Sequence, residues 1–173
     1  MPFHHVAIAA KDIVATHEFY CGPMGFRLVK VVAGVSPEGG WAKHLFYDTG
    51  GGGLLAFWEL HDDKLPADWS PSISVGLGLP SWVNHIAFAA EDVRDLEARK
   101  ARWLEHGVDL WEIDHGWCRS VYATDPNGIL VEFCVTTQEF THADRDQAQR
   151  LLEDPHPQLE SAPPAVRHRA RRG

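Results

Sequence analysis

The sequence predicts an α+β fold of two tandem βαβββ modules. Two observations predict it. The octet His5-Val-Ala-Ile-Ala-Ala-Lys-Asp12 recurs as His85-Ile-Ala-Phe-Ala-Ala-Glu-Asp92, with the histidine, three alanines and the aspartate in register. A repeat of this kind marks a duplicated structural unit. Both halves also close alike. His44-Leu-Phe-Tyr47 leads through Gly50–Gly53 into Leu54-Leu-Ala-Phe-Trp58, and Arg119-Ser-Val-Tyr122 leads through Asp125-Pro-Asn-Gly128 into Ile129-Leu-Val-Glu-Phe133. Each reads as strand, tight turn, strand.

The elements follow in order. The first octet is a strand, and Asp12 caps a helix over Ile13–Tyr20 that Gly22-Pro23 closes. Three antiparallel strands complete module one, residues 1–60. The connector, 61–80, is broken by Pro66, Pro71 and Pro80. Its Trp69, Ile73, Val75, Leu77 and Leu79 predict that it packs down or forms a lid or dimer contact. Module two spans 81–136. Asp92 caps its helix, whose Val93, Leu96, Ala101 and Leu104 share a stripe before Gly107 stops it. Polar helix formers predict a short helix over 137–153, and four prolines predict a disordered tail over 154–173.

Composition sets the class. The 173 residues are 45% hydrophobic and 23% charged, as in one ordinary globular domain or two small fused ones. No apolar run is long enough to span a bilayer, and the N-terminus shows no secretory pattern. Three cysteines without a CxxC pair exclude a disulfide framework and predict a cytoplasmic setting. A net charge of −8 disfavours nucleic acid and anionic lipid as partners. The one basic cluster, Arg167 to Arg172, is expected to be a solvated tail.

Strand alternation then locates a metal. His5 shares a face with Ala7 and Ala9, and His85 with Ala87 and Ala89, while the bulkier residues point the other way under the helices. A pseudo-twofold relation between the modules is expected to bring the two histidines together. Glu132 is a carboxylate on an otherwise apolar strand, costly to bury unless it meets a cation. In module one the corresponding count lands on Ala56 or Phe57; Glu59 serves only if the register slips. The set is therefore His5, His85 and Glu132. Two imidazoles and one carboxylate leave positions open and suit non-haem Fe(II), with Mn(II) or another divalent metal as the substitute. A four-ligand site instead suits a metal that only polarises an oxygen. His4 is read as structural, and His17, His61, His106, His142, His156 and His168 as solvent-exposed. Cys134 shares the Glu132 face but reads as a small core residue, and the glycine run as a turn rather than a phosphate cradle.

These paired His-x-Ala modules resemble the vicinal oxygen chelate superfamily, which includes glyoxalase I, fosfomycin and bleomycin resistance proteins and extradiol dioxygenases. The resemblance covers about residues 3–136 and implies that the two modules form a metal-lined, barrel-like cavity. Within it, His115 to Glu132, with Tyr122 and the Asp125-Pro-Asn-Gly128 turn, is similar to the extradiol ring-cleavage signature. The resemblance implies His5, His85 and Glu132 as iron ligands, His115 and Tyr122 on the substrate side, and His44 as an acid–base beside oxygen. Counting along the strands pairs His44 with Arg119 rather than Ser120, which leaves its face open. The implied substrates are a small aromatic diol and O2, with Trp41, Trp82, Trp111 and Trp117 available as ring walls. Many extradiol enzymes carry two further modules; this chain lacks them, and a homodimer is expected to complete its pocket. A glyoxalase-like isomerase or lyase using Glu59, and a metal-free drug-sequestering protein, are the alternatives.

Overall fold

A computed structural model describes residues 3–37 and 39–171; Met1, Pro2, Glu38, and Arg172 of the basic cluster with Gly173, lie outside the described residues. The first half contains β1 (His5–Ala10), α1 (Ile13–Cys21), β2 (Arg27–Val35), β3 (Trp41–Asp48) and β4 (Leu54–His61). The second contains β5 (His85–Ala89), α2 (Val93–Glu105), β6 (Leu110–Asp114), β7 (Cys118–Thr124) and β8 (Leu130–Thr136). A third helix, α3 (His142–Glu153), and a short strand, β9 (Ala165–His168), follow. The strands form two mixed sheets, ordered β1-β4-β3-β2 and β5-β8-β7-β6-β9.

Both predicted caps are made. The Asp12 carboxylate accepts the Ala15 amide at 3.0 Å and the Asp92 carboxylate accepts that of Asp95 at 2.7 Å. At the end of α1, a Cβ on Gly22 would lie 2.7 Å from the Glu18 carbonyl oxygen, so only glycine allows this closure.

The helix-side faces of the two sheets share one core. Phe26 meets Phe88 with ring centres 4.9 Å apart, and Trp103 meets Phe133 at 5.3 Å. Ile8, Ile86 and Phe88 pack against this core, while His85, Ala87 and Ala89 on the alternate face are exposed. Polar contacts reinforce the join. In the turn before β8, the buried Asp125 accepts the Asn127 and Ile129 amides at 2.8 Å each, and the Tyr20 hydroxyl at 3.0 Å. Asn127 donates its side-chain amide to Thr16 Oγ1 at 3.0 Å and accepts the Lys11 amide at 3.1 Å. The connector packs onto the same turn, where Ser72 Oγ donates to the Gly128 carbonyl at 2.8 Å.

Three expectations are corrected. The 154–173 tail is not wholly without structure, because β9 pairs antiparallel with β6, setting Arg167 opposite Trp111 and Ala165 opposite Ile113. The physical reason is the open edge of β6. Pairing satisfies its backbone, and Ala170 anchors the strand by donating its amide to Asp109 at 2.9 Å. For the same reason His168 is not a free tail residue: its Nε2 sits 2.9 Å from Glu112. His17 is half-buried rather than solvent-exposed, with Nδ1 3.2 Å from the Tyr47 hydroxyl.

Candidate active site

The outward face of the second sheet collects the predicted chemistry. Register sets Ala87, Glu132 and Tyr122 side by side on β5, β8 and β7. His85 stands one alternation before Ala87, and its Nε2 reaches Glu132 Oε2 at 3.3 Å. The Glu132 side chain is only 6% exposed, and that imidazole is the one basic group in ion-pair range among the described residues. Tyr122 adds a phenol. Burial pushes its pKa well above the ordinary value and the Glu132 charge pushes it further, so it is a hydrogen-bond donor at neutral pH.

His115 comes from the hairpin between β6 and β7. Asp114 accepts the Gly116 amide at 2.8 Å and Gly116 turns at φ +84°, a conformation that favours glycine. The hairpin holds His115 Nε2 2.9 Å from the Tyr122 hydroxyl. A cavity of about 600 Å³ opens here, lined by His85, His115 and Tyr122 with Trp82, Trp111 and Ala165 among its walls. Ser120 and Cys118 continue this face, Ser120 opposite Cys134. Burial and the Cys134 thiol push Cys118 up to about 12, which leaves it a neutral wall.

The first sheet carries the other half of the set. Its register places His5 opposite Leu54, Ala7 opposite Ala56 and Ala9 opposite Trp58 on β4, with Phe46 and His44 continuing the same face on β3. The equivalent of Tyr122–Glu132 is thus Phe46–Ala56, and the equivalent of Ser120–Cys134 is His44–Trp58. His44 therefore shares the His5 face without any bulge in β3. Its ring stacks on Trp58 at 3.7 Å and lies 6.3 Å from His5. Burial, and then the neighbouring His5, lower its pKa, and its buried Nε2 finds no hydrogen-bond partner among the described residues.

Glu59 falls on the opposite face. It pairs with Lys43 at 2.8 Å and His61 at 2.9 Å, and these partners outweigh burial to hold its carboxyl below the ordinary range. Slippage would be required to turn it toward His5, and the register is continuous from Trp41 to Asp48. His4 lies just before β1, with Nδ1 2.7 Å from His5 Nδ1. Of the tryptophans singled out by sequence, Trp82 and Trp111 line the cavity. Trp41 stacks on His61 behind the first sheet and Trp117 packs on Phe140. Trp58, the stacking partner of His44, escaped sequence reasoning; its place two residues after Ala56 on the site face was the available signal.

Within one chain the structure joins His85 to Glu132 but not to His5. No group of three or more His, Cys, Asp or Glu among the described residues is arranged to hold a metal ion. The expected meeting of His5 and His85 fails because the shared core occupies the helix side of both sheets, so the two histidine faces turn outward. The donor chemistry still fits a divalent cation: the buried Glu132 carboxylate has the His85 imidazole as its basic neighbour and a phenol beside it, with the neutral Ser120 hydroxyl and the Cys118 and Cys134 thiols further along the face.

Comparison with known proteins agrees with this architecture. A sequence model described as Glyoxalase/Bleomycin resistance protein/Dioxygenase superfamily matches residues 3–133. No curated protein matches the chain by sequence. Among solved structures, a glyoxylase/bleomycin resistance protein/dioxygenase domain from Frankia sp. EAN1pec is 17% identical, with a TM-score of 0.61 over 83% of this chain and 97% of that one. The fosfomycin resistance protein FosX from Listeria monocytogenes is 19% identical, with a TM-score of 0.53 over 84% and 98% of the two chains. TnmS3, an antibiotic binding protein from Streptomyces sp. CB03234, is 19% identical, with a TM-score of 0.53 over 79% and 97%. These likenesses establish the fold. No helix among the described residues is long and apolar enough to cross a membrane.

Proposed function

The chain belongs to the glyoxalase/bleomycin resistance protein/dioxygenase superfamily, and within it we propose an extradiol-type dioxygenase that opens the ring of a catechol with O2. The observation that carries this reading is an asymmetry between matched positions. Glu132 stands beside Tyr122 in the second sheet, whereas Ala56 stands beside Phe46 in the first. The candidate donor set therefore stops at two imidazoles and one carboxylate, which suits Fe(II) with open positions. A four-ligand isomerase or lyase needs a second carboxylate on this face, and Glu59 points away from it.

His85 and Glu132 are the proposed ligands in one chain, with His5 supplied by a second copy. The outward-facing half-sites and the apolar β1 and β5 faces support a homodimer in which the first sheet of one chain covers the second sheet of the other. A divalent ion held by these residues would supply Lewis acidity and, as Fe(II), redox chemistry. The residues of this chain do the rest. Trp82 and Trp111 flank the ring and exclude water, the Tyr122 phenol donates a hydrogen bond to a substrate oxygen, and His115 holds or releases a proton at Nε2. The partner's His44 arrives with its His5 and offers a second imidazole. A cytoplasmic location goes with this reading.

The test is anaerobic loading with Fe(II), followed by a panel of catechols with oxygen-electrode and optical monitoring. Oxygen uptake with a yellow ring-opened product is expected. Activity with Ni, Zn, Co or Mn on a non-catechol substrate, without oxygen uptake, would replace the reading with an isomerase or lyase. Failure to bind any divalent metal would leave a sequestering protein.

A further inference from the structure

The C-terminal strand lies outside the family match, which ends at residue 133. The similar structures span 97–98% of their own length while covering 79–84% of this chain. Beyond residue 133 the chain completes β8, α3 leads out and β9 returns to pair with β6. The return is placed on the working face. Ala165 lines the cavity of His85, His115 and Tyr122. Arg167 stands directly opposite Trp111, which stands opposite Tyr122, which stands opposite Glu132, so all four side chains share one face.

Arg167 is also held in an orientation that suits recognition. Its guanidinium lies over the Trp111 ring, 5.6 Å from the ring centre, and donates from Nη2 to Asp109 at 3.3 Å. The side chain remains 46% exposed. A second cavity of about 500 Å³ opens beside it, with Asp109 and Asp125 also in its lining, and it adjoins the first because Trp111, Tyr122, Thr124 and Leu130 line both. A planar guanidinium has five N–H donors, of which this contact uses one. Neighbouring strands lie about 4.8 Å apart, so the backbones of Glu132 and Arg167 are separated by three spacings, roughly 14 Å. A ring held over Glu132 and Tyr122, carrying a short acidic arm, matches that span once both side chains reach inward. In a chain of net charge −8 a cation is needed here if an anionic substrate is to enter the cavity.

Resting on the catechol reading for the identity of the ring, we propose that Arg167 is a specificity-determining residue that anchors a carboxylate on the side of the substrate away from its diol. Arginine suits this task because its fork meets a carboxylate through two parallel hydrogen bonds.

The test compares 3,4-dihydroxyphenylacetate with its neutral methyl ester, and with phenylacetate, which lacks the diol. Binding to the full chain is read by tryptophan fluorescence, both metal-free and anaerobically loaded with Fe(II). Wild type is expected to favour the acid over the ester. Arg167→Gln should weaken binding of both acids roughly 10- to 100-fold while leaving the ester unchanged. Arg167→Lys should restore part of the loss. A wild type that binds the acid no better than the ester, or an Arg167→Gln variant that weakens acid and ester equally, overturns the proposal. Arg167-dependent binding of phenylacetate in a protein that never consumes oxygen with any catechol would sustain Arg167 as an anion anchor and overturn the dioxygenase reading alone.

Discussion

Tyr20 and Asp125 are 105 residues apart in the chain, yet the hydroxyl of one donates to the carboxylate of the other at 3.0 Å inside the core. This contact ties α1 of the first half to the turn that feeds β8 and its Glu132. Tyr20→Phe should leave Asp125 Oδ2 with only the Asn127 side-chain amide, at 3.1 Å. Losing a hydrogen bond to a buried charged group costs about 1.5–3 kcal/mol, which for a chain of this size is roughly 3–12 °C in Tm. Thermal denaturation followed by circular dichroism measures it. A Tm unchanged within error would show that the turn is held by its own backbone contacts.

Glu112 gives the fold a pH dependence of known sign. Burial would raise its carboxyl, but hydrogen bonds from Lys100 at 3.0 Å and Arg119 at 2.7 Å, together with their charges, hold it below its ordinary 4.5. A carboxyl lowered on folding contributes stability that is complete above its unfolded pKa and lost as pH falls through its folded one. Glu112→Gln should therefore cost about 1–2 kcal/mol at pH 7, after discounting for solvent screening. The gap to wild type should close as pH drops below 4.5. Denaturant unfolding at pH 7, 5 and 3 checks it, and a gap constant with pH would mean that packing, not charge, is lost.

Much of the frame is readable from local chemistry. The two octets mark β1 and β5 because an alternating apolar strand has one buried face, and Asp12 and Asp92 mark helix starts because a carboxylate there satisfies an orphan amide. Glu132 stands out for the same local reason, as an acid on an apolar strand. Partners distant in sequence were not readable. The Asp125-Pro-Asn-Gly128 segment reads as a hairpin turn, but its role as a clamp depends on Tyr20, Thr16 and Lys11, which only tertiary packing brings near. β9 is four residues long behind a run of prolines, and its stability comes from the edge of β6 rather than from its own composition. The face of His44 was hidden by the choice of reference residue. Once Asp48 is seen opposite Leu54, and Thr124 opposite Leu130, the two halves superpose and His44 falls on Ser120.

The separation of His5 from His85 leads to a mixing experiment. His5→Ala and His85→Ala should each fail to retain stoichiometric Fe(II). If the ion is shared between copies, a mixed dimer of the two variants holds one site with both defects and one site with none. Random pairing makes half of the dimers mixed, so iron content and turnover should recover to roughly a quarter of wild type after the variants are dissociated and reassociated. No recovery would place all three ligands within a single chain, and a His5→Ala variant that keeps its iron before mixing would show that the first sheet does not contribute. Light scattering of the wild type should give a dimer in the same buffer.

The position of Ala56 leads to the last prediction. Ala56 is fully buried and sits opposite Ala7 and Phe46, as Glu132 sits opposite Ala87 and Tyr122. Ala56→Glu adds a second carboxylate at the matched place. Without metal, an unpaired buried carboxylate costs several kcal/mol, and the longer side chain crowds Phe46, so the metal-free variant should unfold at a Tm lower by 10 °C or more. With Zn(II) or Ni(II) the new carboxylate gains a cation, and the metal-dependent rise in Tm should exceed that of wild type. Oxygen uptake with Fe(II) should fall, because a fourth protein ligand takes a position that substrate and dioxygen need. Differential scanning calorimetry with and without metal, beside the oxygen electrode, measures both effects. A Tm that falls equally with and without metal would mean that the first sheet's outward face never meets the ion.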